Sequence, residues 1–279
     1  MEISQKGSLP PNLQQGRYLL YLDILGFKDI VRTRSPRAVY DVVNHVLQVC
    51  ARREKLIGDF RTLCFSDTIV FYQKPVGWAE WAFLDIYSIG GMIWSALAAA
   101  HIPARGAISF GEFTVEVDSG GRHEIFFGNG LIDAYETENA DGNREWVGLT
   151  ISPSAWQAVE CMVPRLIDCF ASEKRWRRVG NVLRLNPFMM LSSGYTDYQI
   201  GEIDCPLATW NAPEFPNDVK AYHFISEQSQ NQRLPEEVRL KYVFTLSVLS
   251  DLLGRDCAEW ALRIAPQVAA PSKGDQTGL

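Results

Sequence analysis

A chain of 279 residues is long enough for one large domain or for one and a half small ones, and its net charge of −6 argues against a nonspecific nucleic-acid coat or a polybasic membrane anchor. Hydrophobic residues make up 47% and charged residues 22%, as is ordinary for a globular protein. The six cysteines are scattered and form no C-x-x-C pair, which indicates free thiols in a reducing compartment. The first residues lack an apolar signal region, and no stretch approaches 18 uninterrupted apolar residues. We therefore expect a cytoplasmic protein with no membrane and no nucleic-acid partner.

Strand-like and helix-like segments alternate over the first half of the chain, after a polar arm at 1–16. The predicted strands are 17–25, 60–65, 67–73, 104–113, 122–127 and 146–151. The predicted helices open at Pro36 and Pro153 and span 78–100 and about 130–140. The runs at 60–65 and 67–73 are close enough for a hairpin, and another hairpin is expected through 118–121. This order fits an α+β protein with helices packed on one face of a sheet.

The pattern changes beyond about residue 180. It predicts a strand pair at 181–192, a Gly/Asp/Pro-rich connector at 194–218 and a helix from Pro235. The basic run at 174–178 is expected to be a solvated helix end. The predicted divisions are a main domain at 17–180, a C-terminal extension at 181–265 and a disordered tail at 266–279.

Two aspartates interrupt otherwise apolar strand-like runs. Asp23 lies within the run at 21–27, and Asp67 lies within the run at 63–71. An unpaired buried carboxylate costs several kcal/mol, so two of them at strand edges require a cation. Mg²⁺ and Mn²⁺ prefer oxygen ligands and are usually held by one or two carboxylates together with substrate phosphates. The pair predicts two-metal phosphoryl chemistry.

Four sequence blocks follow one another in an order that identifies a family. They are Tyr-Leu-Asp-Ile-Leu-Gly-Phe (21–27), Arg-Thr-Leu-Cys-Phe-Ser-Asp (61–67), His-Ile-Pro-Ala-Arg-Gly-Ala-Ile-Ser-Phe-Gly-Glu (101–112) and Phe-Phe-Gly-x-x-Leu-x-x-Ala (126–134). Together they resemble the catalytic domain of the class III nucleotide cyclases over roughly residues 17–160. The resemblance implies a ferredoxin-like sheet for the domain at 17–180.

The resemblance also implies a metal site. Asp23 and Asp67 would bridge two divalent cations, Mn²⁺ or Mg²⁺, and the carbonyl of Ile24 would be a backbone ligand. One cation would activate the ribose 3′-hydroxyl, and the other would hold the triphosphate. The 3′-oxygen would then attack the α-phosphorus in line and displace pyrophosphate.

A phosphate-binding turn and an arginine complete the implied site. Amides around Leu25, Gly26 and Phe27 would cradle the phosphates, because glycine lets the backbone approach closely and a helix follows. Arg105 matches the family arginine that grips the triphosphate, and its guanidinium fork suits phosphate oxygens.

The sequence departs from the purine cyclases of this class at four positions. The two base-reading positions fall near Leu63 and Ile125, which offer no hydrogen bond to distinguish adenine from guanine. The family's transition-state Asn and Arg fall near Ile132 and Glu136. Either the domain is catalytically silent, or other residues have taken over, for which the candidates are Arg61, Asn139, Asn143 and Arg144.

This pattern looks like the bacterial pyrimidine cyclases of Pycsar antiphage systems. The resemblance implies conversion of UTP to 3′,5′-cyclic UMP, or of CTP to cyclic CMP, with UTP preferred, and a separate effector that the product activates. Class III sites form between two catalytic domains, so a homodimer with two composite sites is implied. An adenylate or guanylate cyclase with an unorthodox base pocket and a silent nucleotide-binding module remain as alternatives. A polymerase-like palm is disfavoured by the small size and acidic charge.

Overall fold

The computed structural model describes residues 16–57, 60–73, 79–117, 124–172, 174–188 and 215–269. The strands are β1 (Arg17–Ile24), β2 (Phe60–Phe65), β3 (Thr68–Gln73), β4 (Ala104–Gly111), β5 (Thr114–Val117), β6 (Glu124–Phe127), β7 (Leu149–Ile151), β8 (Trp176–Val179) and β9 (Val182–Leu185). The helices are α1 (Phe27–Thr33), α2 (Pro36–Ile57), α3 (Ala79–Ala99), α4 (Asn129–Asn139), α5 (Pro153–Met162), α6 (Pro164–Ser172), α7 (Phe215–Gln230), α8 (Glu236–Leu253) and α9 (Arg255–Ala269), with a short 3₁₀ helix at Asp141–Asn143.

A seven-stranded sheet in the order β2-β3-β1-β4-β7-β9-β8 organises the described residues. Its first four strands pair in antiparallel fashion. Helices α1 and α2 connect β1 to β2, and α3 connects β3 to β4, which gives the βαββαβ order of a ferredoxin-like unit. The expected α+β class and ferredoxin-like sheet are confirmed, and so is the hairpin of β2 and β3.

One face of the sheet carries the main core. Tyr18, Leu20 and Leu22 of β1 point to this face and are fully buried with the apolar side chains of α3 and α7. The window Ala82–Ala99 of α3 is long and apolar enough to cross a membrane, but 78% of it is buried inside the protein. Helix α3 is therefore the central core helix of this fold.

The opposite face carries a smaller core. Successive residues of a strand point to opposite faces, so Leu19 and Tyr21 of β1 lie on this side. They pack with residues of β3, with Phe113 and with Ala134 of α4. Helix α4 and the two-stranded β5–β6 sheet thus cover the face that Asp23, the next alternate residue of β1, also shares.

The region around residue 180 differs from the prediction. The basic run at 174–178 was expected to be a helix end, but Trp176–Val179 is the strand β8. Its neighbour β9 pairs in turn with β7, so Gly180 lies in a hairpin turn within the main sheet. The division at 180/181 therefore cuts through the sheet. Arg177 and Arg178 are exposed on its edge strand, where charged side chains discourage pairing with another chain.

The boundaries of the C-terminal region also differ. Helix α7 begins at Phe215, inside the connector predicted for 194–218, and the helix predicted from Pro235 is α8. Helix α9 continues to Ala269, which is beyond the predicted start of the tail at 266. Residues 1–15 of the predicted arm and residues 194–214 of the predicted connector lie outside the described residues, as do residues 189–192 of the predicted strand pair and the last residues (270–279).

Helix α8 is anchored to the segment that follows α4. The backbone N–H of Val147 donates to the buried Thr245 hydroxyl at 2.9 Å. Arg184 of β9 lies between the rings of Trp146 and Phe244, at 5.0 and 4.6 Å from their centroids. Burial lowers the pKa of the Arg184 guanidinium to about 10, against the opposing effect of the Glu145 carboxylate. The C-terminal helices are thus joined to the sheet by buried polar contacts.

Thr245→Val should reduce the free energy of unfolding by about 1–3 kcal/mol, because it leaves the buried Val147 amide without its acceptor. Ser247→Ala, at an exposed position of the same helix, is the matched control and should change it by less than about 0.5 kcal/mol. Urea denaturation measures both. Equal stability of the two variants would show that this hydrogen bond does not anchor α8.

Candidate active site

Strand pairing brings Asp23 and Asp67 together. Asp23 is the penultimate residue of β1, and its Cα is paired with that of Thr68 on β3. Asp67 lies next to Thr68, in the two-residue turn that joins β2 to β3. The Asp67 carbonyl accepts a hydrogen bond from the Ile24 amide at 2.9 Å, which fixes this turn against the end of β1.

The two carboxylates are partly exposed, and in the described part of the chain neither makes an ion pair or a side-chain hydrogen bond. Burial raises the pKa of Asp23; the Arg105 charge lowers it, and the nearby Asp67 carboxylate raises it. Two neighbouring carboxylates without side-chain partners fit a divalent cation. Since no group of three or more His, Cys, Asp or Glu among the described residues is arranged so that it could hold a metal ion, further ligands would be backbone or substrate oxygens.

Arg105 is the cation beside this pair. Its Cα on β4 is directly opposite that of Asp23, so the two side chains share a face of the sheet. Its Nε contacts Oε1 of Glu138 on α4 in a buried ion pair, with side chains 15% and 2% exposed. Burial raises the pKa of Glu138; the Arg105 charge lowers it, and the Asp23 carboxylate raises it. The predicted triphosphate role of Arg105 stays a prediction, since the fold already gives this residue a partner.

Sequence reasoning missed Glu138. Its signal is helical spacing: Gly130, Ala134 and Glu138 succeed one another at intervals of four and form the buried stripe of α4. A carboxylate at that spacing from two small buried residues faces the sheet rather than solvent. Such a position requires a cation, and Arg105 supplies it.

The predicted phosphate-binding turn is only partly available. The Leu25 amide donates to the Pro103 carbonyl at 2.8 Å, so the fold already uses it. Gly26 adopts φ 68°, and a Cβ placed there would meet nothing within 4 Å. The amides of Gly26 and Phe27 therefore remain the candidates for phosphate contact, at the start of the seven-residue α1. Ile24, the predicted backbone ligand, ends β1 with its side chain buried.

The four positions that depart from the purine cyclases lie on β2, β6 and α4. Leu63 is partly buried in the smaller core, whereas Ile125 is exposed. Ile132 and Glu136 are exposed on α4. The surface at these positions is therefore apolar or acidic.

Local partners hold the four residues predicted to substitute for the family's transition-state groups. Asn143 is buried, donates to a backbone carbonyl and accepts from a threonine hydroxyl. Arg61 and Asn139 donate to nearby backbone carbonyls, and Arg144 pairs with Asp141 at 3.5 Å. Asn143 is thus held by the fold through two hydrogen bonds, and catalytic roles for all four residues stay predictions.

Several solved structures are similar to part of this chain. The adenylyl cyclase CyaB from P. aeruginosa is 14% identical over 61% of this chain and 93% of its own, with a TM-score of 0.44. The guanylate cyclase domain of RhGC from Catenaria anguillulae, in complex with GTP, is 18% identical over 53% and 83%, with a TM-score of 0.42. The monomeric guanylyl cyclase domain of the RhoGC fusion protein from Blastocladiella emersonii is 16% identical over 61% and 94%, with a TM-score of 0.43. At these identities and TM-scores, the likenesses assign no activity to this chain. No protein-family model and no curated protein matches the sequence.

Gly128, which precedes α4, should tolerate substitution less well than Gly26. At Gly128 (φ 148°) a Cβ would lie 2.1 Å from the Glu112 carbonyl oxygen, whereas at Gly26 it meets open space. Gly128→Ala should therefore lower the free energy of unfolding by about 2–3 kcal/mol, and Gly26→Ala by about 1 kcal/mol. Chemical denaturation of the two variants gives the comparison. Equal losses would show that the close approach at Gly128 does not constrain α4.

Proposed function

We propose that this protein is a nucleotide cyclase of the class III type that converts UTP to 3′,5′-cyclic UMP and pyrophosphate. The observation that carries the proposal is the position of Asp23 beside the Asp67 turn and opposite Arg105 on a ferredoxin-like sheet, with neither carboxylate paired to a side chain of the described residues. The same three residues lie in the sequence blocks that resemble that family.

The reaction forms one bond and breaks one bond at the α-phosphorus. The ribose 3′-oxygen attacks, the bond to the bridging oxygen of the β-phosphate breaks, and the hydroxyl proton passes to solvent as pyrophosphate leaves. Two divalent cations, when bound, supply the charge that makes the 3′-hydroxyl more acidic and neutralises the triphosphate.

The chain's own residues would orient the substrate for this step. Asp23, Asp67 and the Ile24 carbonyl would hold the cations, since hard divalent ions take oxygen ligands. The Gly26 and Phe27 amides would donate to phosphate oxygens. Arg105, held at Nε by Glu138, would approach the triphosphate through its terminal nitrogens.

The preference for a pyrimidine rests on what the base would meet. Purine cyclases of class III select their base through hydrogen bonds from two side chains. The side chains of Leu63 and Ile125, which fall near these positions, cannot donate or accept hydrogen bonds, and this disfavours a purine substrate. UTP is placed before CTP because the uridylate enzymes are the more numerous branch of the Pycsar cyclases. On the same resemblance the product is a second messenger of antiphage defence in the cytoplasm, acting on a separate effector.

A second copy of the chain is the expected partner at the site. Among the described residues, nine large apolar side chains are exposed, and five of them lie on β2 or on β6 and α4, the elements that cover the face of the sheet shared by Asp23. These five are Phe65, Ile125, Phe127, Ile132 and Tyr135. An apolar surface of this kind is typical of a protein interface, and a homodimer would complete two composite sites.

A silent nucleotide-binding module is the second candidate. It is favoured by Glu136, which is exposed at the position where the resemblance expects a transition-state arginine. Such a module would bind a nucleotide but would lack two-metal binding in the presence of a triphosphate, and it would form no cyclic product.

Incubation of the protein with each of the four ribonucleoside triphosphates and Mn²⁺, followed by mass spectrometry, should give cyclic UMP. Asp67→Asn should lower its rate of formation by roughly a hundredfold or more, because the metal-binding charge is lost. Asp29→Asn, an exposed aspartate on the neighbouring α1, is the control and should retain activity. Cyclic CMP or a cyclic purine nucleotide would correct the substrate, and the absence of a cyclic product from all four triphosphates would favour the silent module.

If the protein forms the proposed dimer, charged substitutions at two equally exposed apolar residues should affect dimerisation differently. Phe127 on β6 is 51% exposed and Leu240 on α8 is 50% exposed. Phe127→Glu should convert the dimer to monomers and abolish product formation, since it places a charge within the apolar surface. Leu240→Glu should leave the mass in sedimentation velocity unchanged. Dissociation by Leu240→Glu alone would place the interface on the C-terminal helices instead.

A further inference from the structure

The pairing of Arg105 departs from what its strand position favours. Arg105 and Asp23 are directly opposite on antiparallel strands, where facing Cβ atoms lie about 4.5–5.5 Å apart and opposite charges commonly pair. Yet the ion pair of Arg105 is with Glu138, and Asp23 makes none within the described residues. Arg105, the cation directly opposite Asp23 in the strand register, thus pairs with the Glu138 carboxylate instead.

We propose that Glu138 is a positioning residue that holds the Arg105 guanidinium off the Asp23 carboxylate, so that Asp23 stays available to a divalent cation. This inference deepens the proposed function and rests on it, since it concerns the same metal site. Glu138 acts through Arg105, because its side chain is only 2% exposed and is held against the sheet by α4.

Burial of the guanidinium makes the choice of partner matter. Arg105 is 15% exposed, so water cannot replace a lost counter-ion, and the guanidinium stays charged. Two carboxylates lie within its electrostatic reach, those of Asp23 and Glu138. Without the Glu138 charge, Asp23 is the partner that remains. An arginine bound to Asp23 would occupy its oxygens and place a positive charge where the cation should bind.

A purely structural ion pair makes a different prediction. If the pair only stabilised the fold, removing either charge would lower the melting temperature without a specific effect on metal affinity. If Glu138 protects Asp23, the loss caused by Glu138→Gln should be reversed when Arg105 is also neutralised. This reversal is the readout that separates the two roles.

The experiment measures Mn²⁺ affinity of the nucleotide-free protein by calorimetry. Glu138→Gln should weaken Mn²⁺ binding about tenfold or more, the size typical for residues that orient a ligand. The double variant Arg105→Gln/Glu138→Gln should return the affinity to the wild-type value. Glu136→Gln, which removes an exposed charge two residues earlier on α4, should leave both affinity and melting temperature unchanged.

Three results would overturn the proposal: an unchanged affinity in Glu138→Gln, a double variant that binds no better than Glu138→Gln, or a wild-type protein that binds no Mn²⁺.

If Glu138→Gln does not fold, Glu138→Asp replaces it, because the shorter side chain keeps the charge but withdraws it from Arg105. Its affinity should also fall and should recover when Arg105→Gln is added. None of these measurements uses a triphosphate. A protein that shows the reversal but forms no cyclic nucleotide would therefore refute the proposed function while retaining the role of Glu138.

Discussion

The antiparallel pairing of β1 with β3 on one side and with β4 on the other is the constraint on which the site depends. It sets Asp23 beside the Asp67 turn and opposite Arg105. Because side chains alternate along a strand, a slip of one residue would turn Asp23 toward the core under α3. The apolar residues that precede it fix the register: Tyr18, Leu20 and Leu22 fill one core, while Leu19 and Tyr21 fill the other.

Among the described residues, the charges around this strand end do not balance. Three carboxylates, of Asp23, Asp67 and Glu138, lie with one guanidinium, and burial disfavours the charged forms of Asp23 and Glu138. A site assembled only for stability would pair each charge, because an uncompensated buried carboxylate costs several kcal/mol. Two aspartates left without side-chain partners beside a neutralised arginine are instead the state expected of a site that takes up a divalent cation.

The sequence predicts those residues of the site that interrupt a regular apolar pattern along a strand. Asp23 and Asp67 stood out because they interrupt apolar strand-like runs, and the strands around them occur where expected. Glu138 did not stand out, since it lies among polar residues of α4 and its burial depends on contact with β4. The basic run at 174–178 predicts a solvated helix end; Arg177 and Arg178 do face solvent, but pairing with β9 makes this segment the strand β8. The start of helix α7 falls within a Gly/Asp/Pro-rich segment, and that composition predicts a connector instead of a helix. Pro216 and Asp218 in its first turn are nevertheless ordinary helix-start signals.

The position of Glu138 in turn depends on the C-terminal helices. The 3₁₀ turn at Asp141–Asn143 follows α4, and shortly after it the Val147 N–H donates to Thr245 of α8. Arg184 adds a second link, because it donates to the Gly142 carbonyl while it contacts Trp146 and Phe244. The end of α4 is therefore held between the sheet and α8. A helix held at this end keeps the Glu138 carboxylate against Arg105, so residues that touch no substrate still set the charge distribution at the aspartates.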